Sequence, residues 1–319
     1  MKSSLVLLMV VLAPLTAVPQ SPNPLQKNHR EIAVTFDDLP IAGVLSHDLA
    51  SSRTITSKLL TAITAHRIPA VGFVNEGKLR GDGGIDATRV DLLRMWLDAG
   101  LELGNHTYSH LDLNRTPLPA FEEDLLRGEA VTRPLLRARG MTLRFFRHPF
   151  LHTGRDIDTK RQFESFLAAH GYRVAPVTID NDEYIFAAAY DRASARGDRD
   201  LMRRVAEAYV PYMEAKLEFF ERNSRDLVGY EMRQILLVHA NPMNAEHFGA
   251  LARMIERRGY RFITLDRALE DAAYESPDAY VGSGGITWLH RWALTKGVGK
   301  DFFAGEPAVP AFVEKAAQP

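Results

Sequence analysis

Short apolar runs alternate along the chain with longer stretches in which apolar residues recur every three or four positions. Residues 32–36 form a compact strand-type run, and Ile55, Leu59 and Ile63 after it share one face of a helix. Pro69 interrupts, residues 70–74 make the next strand, and Val90, Leu93 and Leu97 mark a second amphipathic helix that Gly100 ends. Residues 101–104, 143–146, 172–179, 235–238 and 260–264 read as further strands, with Phe121, Leu125 and Leu135 on one helix between the first two. Strands separated by helices pair in parallel, because a parallel return needs a crossover. About seven such units in roughly 240 residues predict an α/β fold, a closed or nearly closed (β/α) barrel, ahead of an open doubly wound sheet. No G-x-G-x-x-G follows the first strand, so no dinucleotide site is expected.

Two stretches break this rhythm. Residues 185–234 form a charged, mostly helical insertion, and from Asp271 onward the strand–helix alternation stops. That tail carries Gly282-Ser-Gly-Gly and then Trp288-Leu-His-Arg-Trp292, and is expected to pack on the barrel, with ligand contact as the alternative. At the other end, Lys2, an apolar run over residues 5–12 and a small residue at Ala17 read as an export signal over residues 1–20. The run is too short to span a bilayer comfortably. Residues 21–29 then read as a polar tether, residues 30–270 as the barrel and residues 271–319 as a C-terminal extension. The expected product is exported, periplasmic or secreted, with no stable membrane insertion after signal removal. With no cysteine, a disulfide framework and a lipid-modified N-terminal cysteine are both excluded. A formal net charge of -1 gives no reason to expect a nucleic-acid partner.

The chemistry gathers at strand ends. Asp37-Asp38 follows the first strand directly, and two adjacent carboxylates there need a cation or a proton to be tolerated. Gly104-Asn105-His106-Thr107-Tyr108-Ser109-His110 follows another strand. Histidines four apart on a helical turn have Cβ atoms about 5–6 Å apart, which suits two imidazoles converging on one ion. A strand-end Asp from a different unit would complete a His-His-Asp triad with open positions. Nitrogen and carboxylate ligation fits Zn²⁺, with Co²⁺, Ni²⁺ or Mn²⁺ as other occupants. Arg147-His148-Pro149-Phe150, Asp180-Asn181-Asp182-Glu183-Tyr184 and His239-Ala240-Asn241 also follow strands. The ends of parallel barrel strands share one rim, where such folds place their sites.

These motifs, in this order over roughly residues 30–270, resemble those of the polysaccharide deacetylase family, the NodB-homology group of carbohydrate esterase family 4. The resemblance implies a distorted (β/α)₇ barrel that hydrolyses N-acetyl or O-acetyl groups on a carbohydrate. It implies Asp38, His106 and His110 as metal ligands, Asp37 as general base, Arg147 as its partner and His239 as general acid. Asp180 would hold Arg147 in turn, and the Phe150 amide would face the oxyanion. Pro149, Phe150, Tyr184 and Leu237 would contact substrate. The expected reaction is deacetylation of an amino-sugar oligo- or polysaccharide, such as a chitooligosaccharide or cell-wall glycan. An O-acetyl esterase on xylan-type polymer and a catalytically silent carbohydrate-binding barrel are the alternatives. Phe150 stands where the family usually has Tyr, and Glu183-Tyr184 where it commonly has Asp-Trp, with Asp182 offering a competing register. Oligomeric state is not legible.

Overall fold

The computed structural model describes residues 30–319 apart from Ser46. The expected export signal and tether lie outside the described residues. Among the described residues nine strands occur in chain order: β1 (Arg30–Leu39), β2 (Val71–Val74), β3 (Arg80–Gly81), β4 (Gly84–Ile85), β5 (Glu102–Asn105), β6 (Phe145–Phe146), β7 (Arg173–Val174), β8 (Gln234–His239) and β9 (Tyr260–Phe262). Helices α1 (Leu49–Ala65), α2 (Ala87–Asp98), α3 (Leu118–Arg127), α4 (Thr132–Arg137) and α5 (Ile157–Ala169) separate the earlier strands. Helices α6 (Glu183–Ala195), α7 (Arg199–Val228), α8 (Pro242–Arg257), α9 (Leu265–Leu269), α10 (Trp288–Thr295) and α11 (Ala311–Ala317) follow. Among the described residues, no helix is long and apolar enough to cross a membrane.

Seven strands form one parallel sheet in the order β7-β6-β5-β2-β1-β8, with β9 also on β1. The segment after β7 closes the gap to β8. Ala175 donates to the Phe146 carbonyl at 2.8 Å, while the Thr178 and Ile179 amides reach the Ile235 carbonyl at 3.0 Å. Residues 172–179 are therefore a two-residue strand plus a crossing segment, not one long strand, because their bonds pass from β6 to β8. The result is the curled (β/α)₇ barrel expected.

Side-chain alternation along β1 divides the core. Ile32, Val34 and Phe36 join the large apolar layer under the helices, whereas Ala33 belongs with Val71, Phe73, Phe145 and Ile235 in a smaller separate cluster. Thr35 and Asp37 share the Ala33 face, so β1 carries polar groups inward towards the rim.

Two local expectations change. The single helix placed through Phe121, Leu125 and Leu135 is two, α3 and α4. A Cβ on Gly128 between them would lie 2.9 Å from the Thr107 carbonyl carbon, so the chain turns hard against the β5 loop. The buried Glu76 carboxylate then accepts the Val131 and Thr132 amides and caps α4. An antiparallel β3–β4 hairpin also adds itself to the rim. The insertion is helical as expected, its α7 burying Val205, Tyr209, Met213, Leu217 and Phe220 and ending on Gly229 at φ 85°. In the tail, Leu289, Trp292 and Val313 are buried.

Candidate active site

Asp37 and Asp38 are consecutive, yet both meet the same cleft, of about 530 Å³. Regular strand would send them to opposite faces. The register of β1 against β2 slips between Phe36 and Leu39, and Asp38 takes a left-handed φ of 69°. Asp tolerates that conformation better than most residues, so the slip delivers two carboxylates to one place.

The histidines arrive from the β5 loop, not from a helical turn as their spacing had implied. Thr107 and His110 both have positive φ, at 65° and 56°, and Thr107 Oγ1 accepts the His110 amide at 3.0 Å. This tight turn still stacks the two imidazoles edge to face, 4.8 Å apart. Asp38 Oδ1 lies 3.8 Å from His106 Nε2 and 3.5 Å from His110 Nε2. One ligand atom from each of the three falls within 4.8 Å of the others.

Several observations show that this set fits a divalent cation. Asp38 Oδ1 is buried without a hydrogen-bond partner among the described residues. His106 Nδ1 lies 2.8 Å from the Arg147 carbonyl, an acceptor only, so Nδ1 carries the proton and the Nε2 lone pair faces Asp38. Burial pushes both histidines down to about 4, which keeps them neutral and able to coordinate. Burial opposes ionisation of Asp38, but Lys78, His106 and His110 together hold its carboxyl well below the usual range.

Behind them, the fully buried Arg147 spends its donors in three directions. Nη1 bonds both Asp37 oxygens at 3.1 Å, Nη2 bonds Thr35 Oγ1 at 2.9 Å and Nε bonds the Ala175 carbonyl at 2.8 Å. Burial raises the Asp37 pKa against the pull of that guanidinium. Asp180 also lines the cleft but makes no hydrogen bond to Arg147. Its carboxylate accepts the Asn181 amide at 2.9 Å, and burial lifts it to about 6. Asp180 therefore acts on Arg147 through its charge alone, and the hydrogen bonds behind the guanidinium come from Thr35 and the Ala175 carbonyl.

His239 ends β8, in register with Asp37. Its Nδ1 lies 2.8 Å from Glu183 Oε2, which itself is fully buried and also takes hydrogen bonds from Asn241 and Asn244. Burial works against the imidazolium, but Glu183 prevails and lifts His239 to about 9. Phe150, Tyr184 and Leu237 line the cleft, the first two more than half exposed. Pro149 does not line it. The proline is buried in the turn that sets up the positive φ of Phe150. Lys78 was not singled out from sequence, and Glu183 was named only as part of the fourth motif, with no role. Glu183 lay inside an acidic run with a competing register. Lys78, whose Nζ is 3.0 Å from the Asp38 carbonyl and 3.6 Å from Oδ1, carries no motif signal at all.

Residues 25–174 match the family described as polysaccharide deacetylase. That stretch, just under half of the chain, belongs to the polysaccharide deacetylase family. The matched stretch holds Asp37, Asp38, His106, His110 and Arg147, while Glu183 and His239 lie beyond it. Solved structures similar to this chain include a family 4 carbohydrate esterase from Streptomyces lividans in complex with acetate. It is 19% identical at TM-score 0.46, over 76% of this chain and 96% of that one. The peptidoglycan deacetylase PdaC from Bacillus subtilis is 16% identical at TM-score 0.46, over 76% and 91%. A family 4 pseudoenzyme from Bacillus anthracis is 13% identical at TM-score 0.46, over 76% and 66%.

Proposed function

We propose that this chain is a metal-dependent hydrolase that removes N-acetyl groups from an amino-sugar oligo- or polysaccharide. The observation that carries the reading is the convergence of Asp38, His106 and His110 on one point in a cleft that also holds Asp37 and His239. A cation at that point, most simply Zn²⁺, would supply Lewis-acid polarisation of the acyl oxygen and make a water more acidic. Asp38, His106 and His110 would hold it.

The remaining work falls to the chain's own groups. Asp37 accepts a proton from the attacking water, and Arg147 keeps its carboxylate aimed while Thr35 fixes the arginine. The Phe150 amide is assigned to the developing oxyanion. His239, charged through Glu183, donates its Nε2 proton to the departing nitrogen as the C–N bond breaks, releasing acetate and a free amine. Exposed Phe150 and Tyr184 offer rings on which a sugar face can stack.

The test is acetate release from N-acetylglucosamine oligomers by metal-loaded protein, with and without chelator. Chelator-sensitive release supports the reading. Failure of the loaded protein to release acetate from any oligomer would overturn it.

A further inference from the structure

Two hollows meet at the reacting centre, and their walls differ in chemistry. The cleft described above is polar on one side, where Asp180, Asn181 and Asp182 line it, and Gly285 of the C-terminal extension adds backbone to its wall. A second groove, of about 390 Å³, shares Asp38, Tyr184 and His239 with that cleft. It continues between the loop after β1, the start of α6 and the end of α11.

Beyond the three shared residues the groove is lined by hydrocarbon. Ala42 and Val44 come from the loop, Ile185, Ala187 and Ala188 from α6, and Ala317 from α11. Asn241 is the exception, and both of its polar ends are already spent. Its Nδ2 donates to Glu183, and its Oδ1 accepts the Asn244 amide at 2.8 Å. Val44 and Tyr184 are 49% and 57% exposed, so apolar surface faces water that a hydrocarbon would cover.

The walls are tied to the barrel and to one another. The Ala42 amide donates to the Ala240 carbonyl at 2.8 Å, just past the end of β8. His47 Nε2 stands 3.6 Å from the buried Asp191 carboxylate, which couples the loop to α6. Arg192 Nε donates to the Ala317 carbonyl at 3.0 Å and couples α6 to α11. The space between them is left open by small side chains, not by a missing contact.

An acyl carbon held between Asp38 and His239 carries an oxygen, a nitrogen bearing its sugar, and the acyl tail. Sugar hydroxyls suit the polar cleft, and a hydrocarbon tail suits the groove. The methyl of an acetyl group, about the size of a water at roughly 30 Å³, would leave most of the groove unfilled.

We propose that the groove holds the acyl tail, and that the substrate is an amino sugar whose amide carries a short fatty acyl group, such as hexanoyl, in place of acetyl. This deepens the amide-hydrolase reading above and rests on it. As the C–N bond breaks, water supplies a hydroxyl to the acyl carbon and a proton to the nitrogen, leaving a fatty carboxylate and a free amine. Calorimetry on the Zn²⁺-loaded protein compares acetate with hexanoate, the two carboxylate products, and needs no turnover. Kinetics compare the N-acetylglucosamine tetramer with its N-hexanoyl counterpart by the free amine released. Hexanoate is expected to bind at least about tenfold more tightly than acetate, and kcat/KM to favour the hexanoyl tetramer by a similar factor. Ala188→Leu and Ala317→Leu put side chain into the groove, and each should lower both hexanoyl-to-acetyl ratios about tenfold. Should Ala188→Leu fail to fold, Ala317→Leu on the last helix carries the comparison. Equal binding of the two carboxylates, turnover of the acetyl tetramer alone, or ratios that neither variant moves would overturn the groove and leave the hydrolase reading standing. A hexanoate preference that the variants abolish, with no amine released from either tetramer, would sink the hydrolase reading and leave the groove as an acyl-binding site.

Discussion

The Glu183 carboxylate accepts the Nδ1 proton of His239 at 2.8 Å, from a helix start 56 residues earlier in the chain. The imidazole is buried, which alone would push its pKa down, yet the bond and charge of Glu183 lift it to about 9. A general acid must be protonated, so activity should fall as pH rises through that value. In Glu183→Gln the charge is gone and burial dominates, so the alkaline limb of kcat/KM should move to lower pH by more than about one unit. The same shift enters stability. A folded pKa raised above the ordinary 6.5 stabilises fully below 6.5, and the contribution fades as pH rises through about 9. An unmoved alkaline limb in the variant would remove His239 from the acid role.

Arg147 and Asp37 are a second buried couple, and their energetics should be strongly non-additive. Arg147→Met leaves a buried carboxylate without the one cationic hydrogen-bond partner it has among the described residues, at a cost of about 3–5 kcal/mol in unfolding free energy. Arg147→Met combined with Asp37→Asn removes both charges and should recover a large part of that loss. Urea unfolding of the two singles and the double measures the coupling directly. Additive losses would mean that the pair does not act as a unit.

The strand ends were legible because each apolar run stops abruptly at a polar motif, and parallel barrel strands put those stops on one rim. Asp38, His106 and His110 could be grouped that way. Their local geometry could not, since the positive φ values at Asp38, Thr107 and His110 come from loop closure and the β1 register slip, not from residue spacing. Pro149 sits inside a readable motif but spends itself on the turn. Glu183 and Lys78 were harder still. Each meets its partner through folding of a distant segment, and a charged residue in a charged stretch has the same appearance on a solvated face. The role of the tail was open because Gly285 carries no side chain to read.

Ligand and base should separate in a metal assay. His110→Ala removes one of three converging donors, and metal retained after dialysis should drop severalfold along with activity. Asp37→Asn keeps all three donors and removes only the proton acceptor, so metal content should match the parent while kcat falls by about 10²–10⁴. Elemental analysis of dialysed protein, paired with acetate release, checks both. Equal metal loss in the two variants would place Asp37 among the ligands.

The final prediction concerns a glycine that no reaction touches. A Cβ on Gly104 would lie 2.4 Å from Phe73 Cε1 and 3.1 Å from the Phe145 carbonyl oxygen. Phe73 is fully buried, and its ring carries the Arg147 guanidinium 4.8 Å from its centroid. A methyl group at residue 104 therefore presses on the ring, and the ring presses on the arginine that aims Asp37. Gly104→Ala should cost about 1–3 kcal/mol by overpacking and lower kcat more than it raises KM. Phe73→Leu added to Gly104→Ala makes room for the methyl group. If the chain of contacts runs as described, urea unfolding should show stability returning in the double variant. Activity should return less fully, because Arg147 has then lost the aromatic face beneath it.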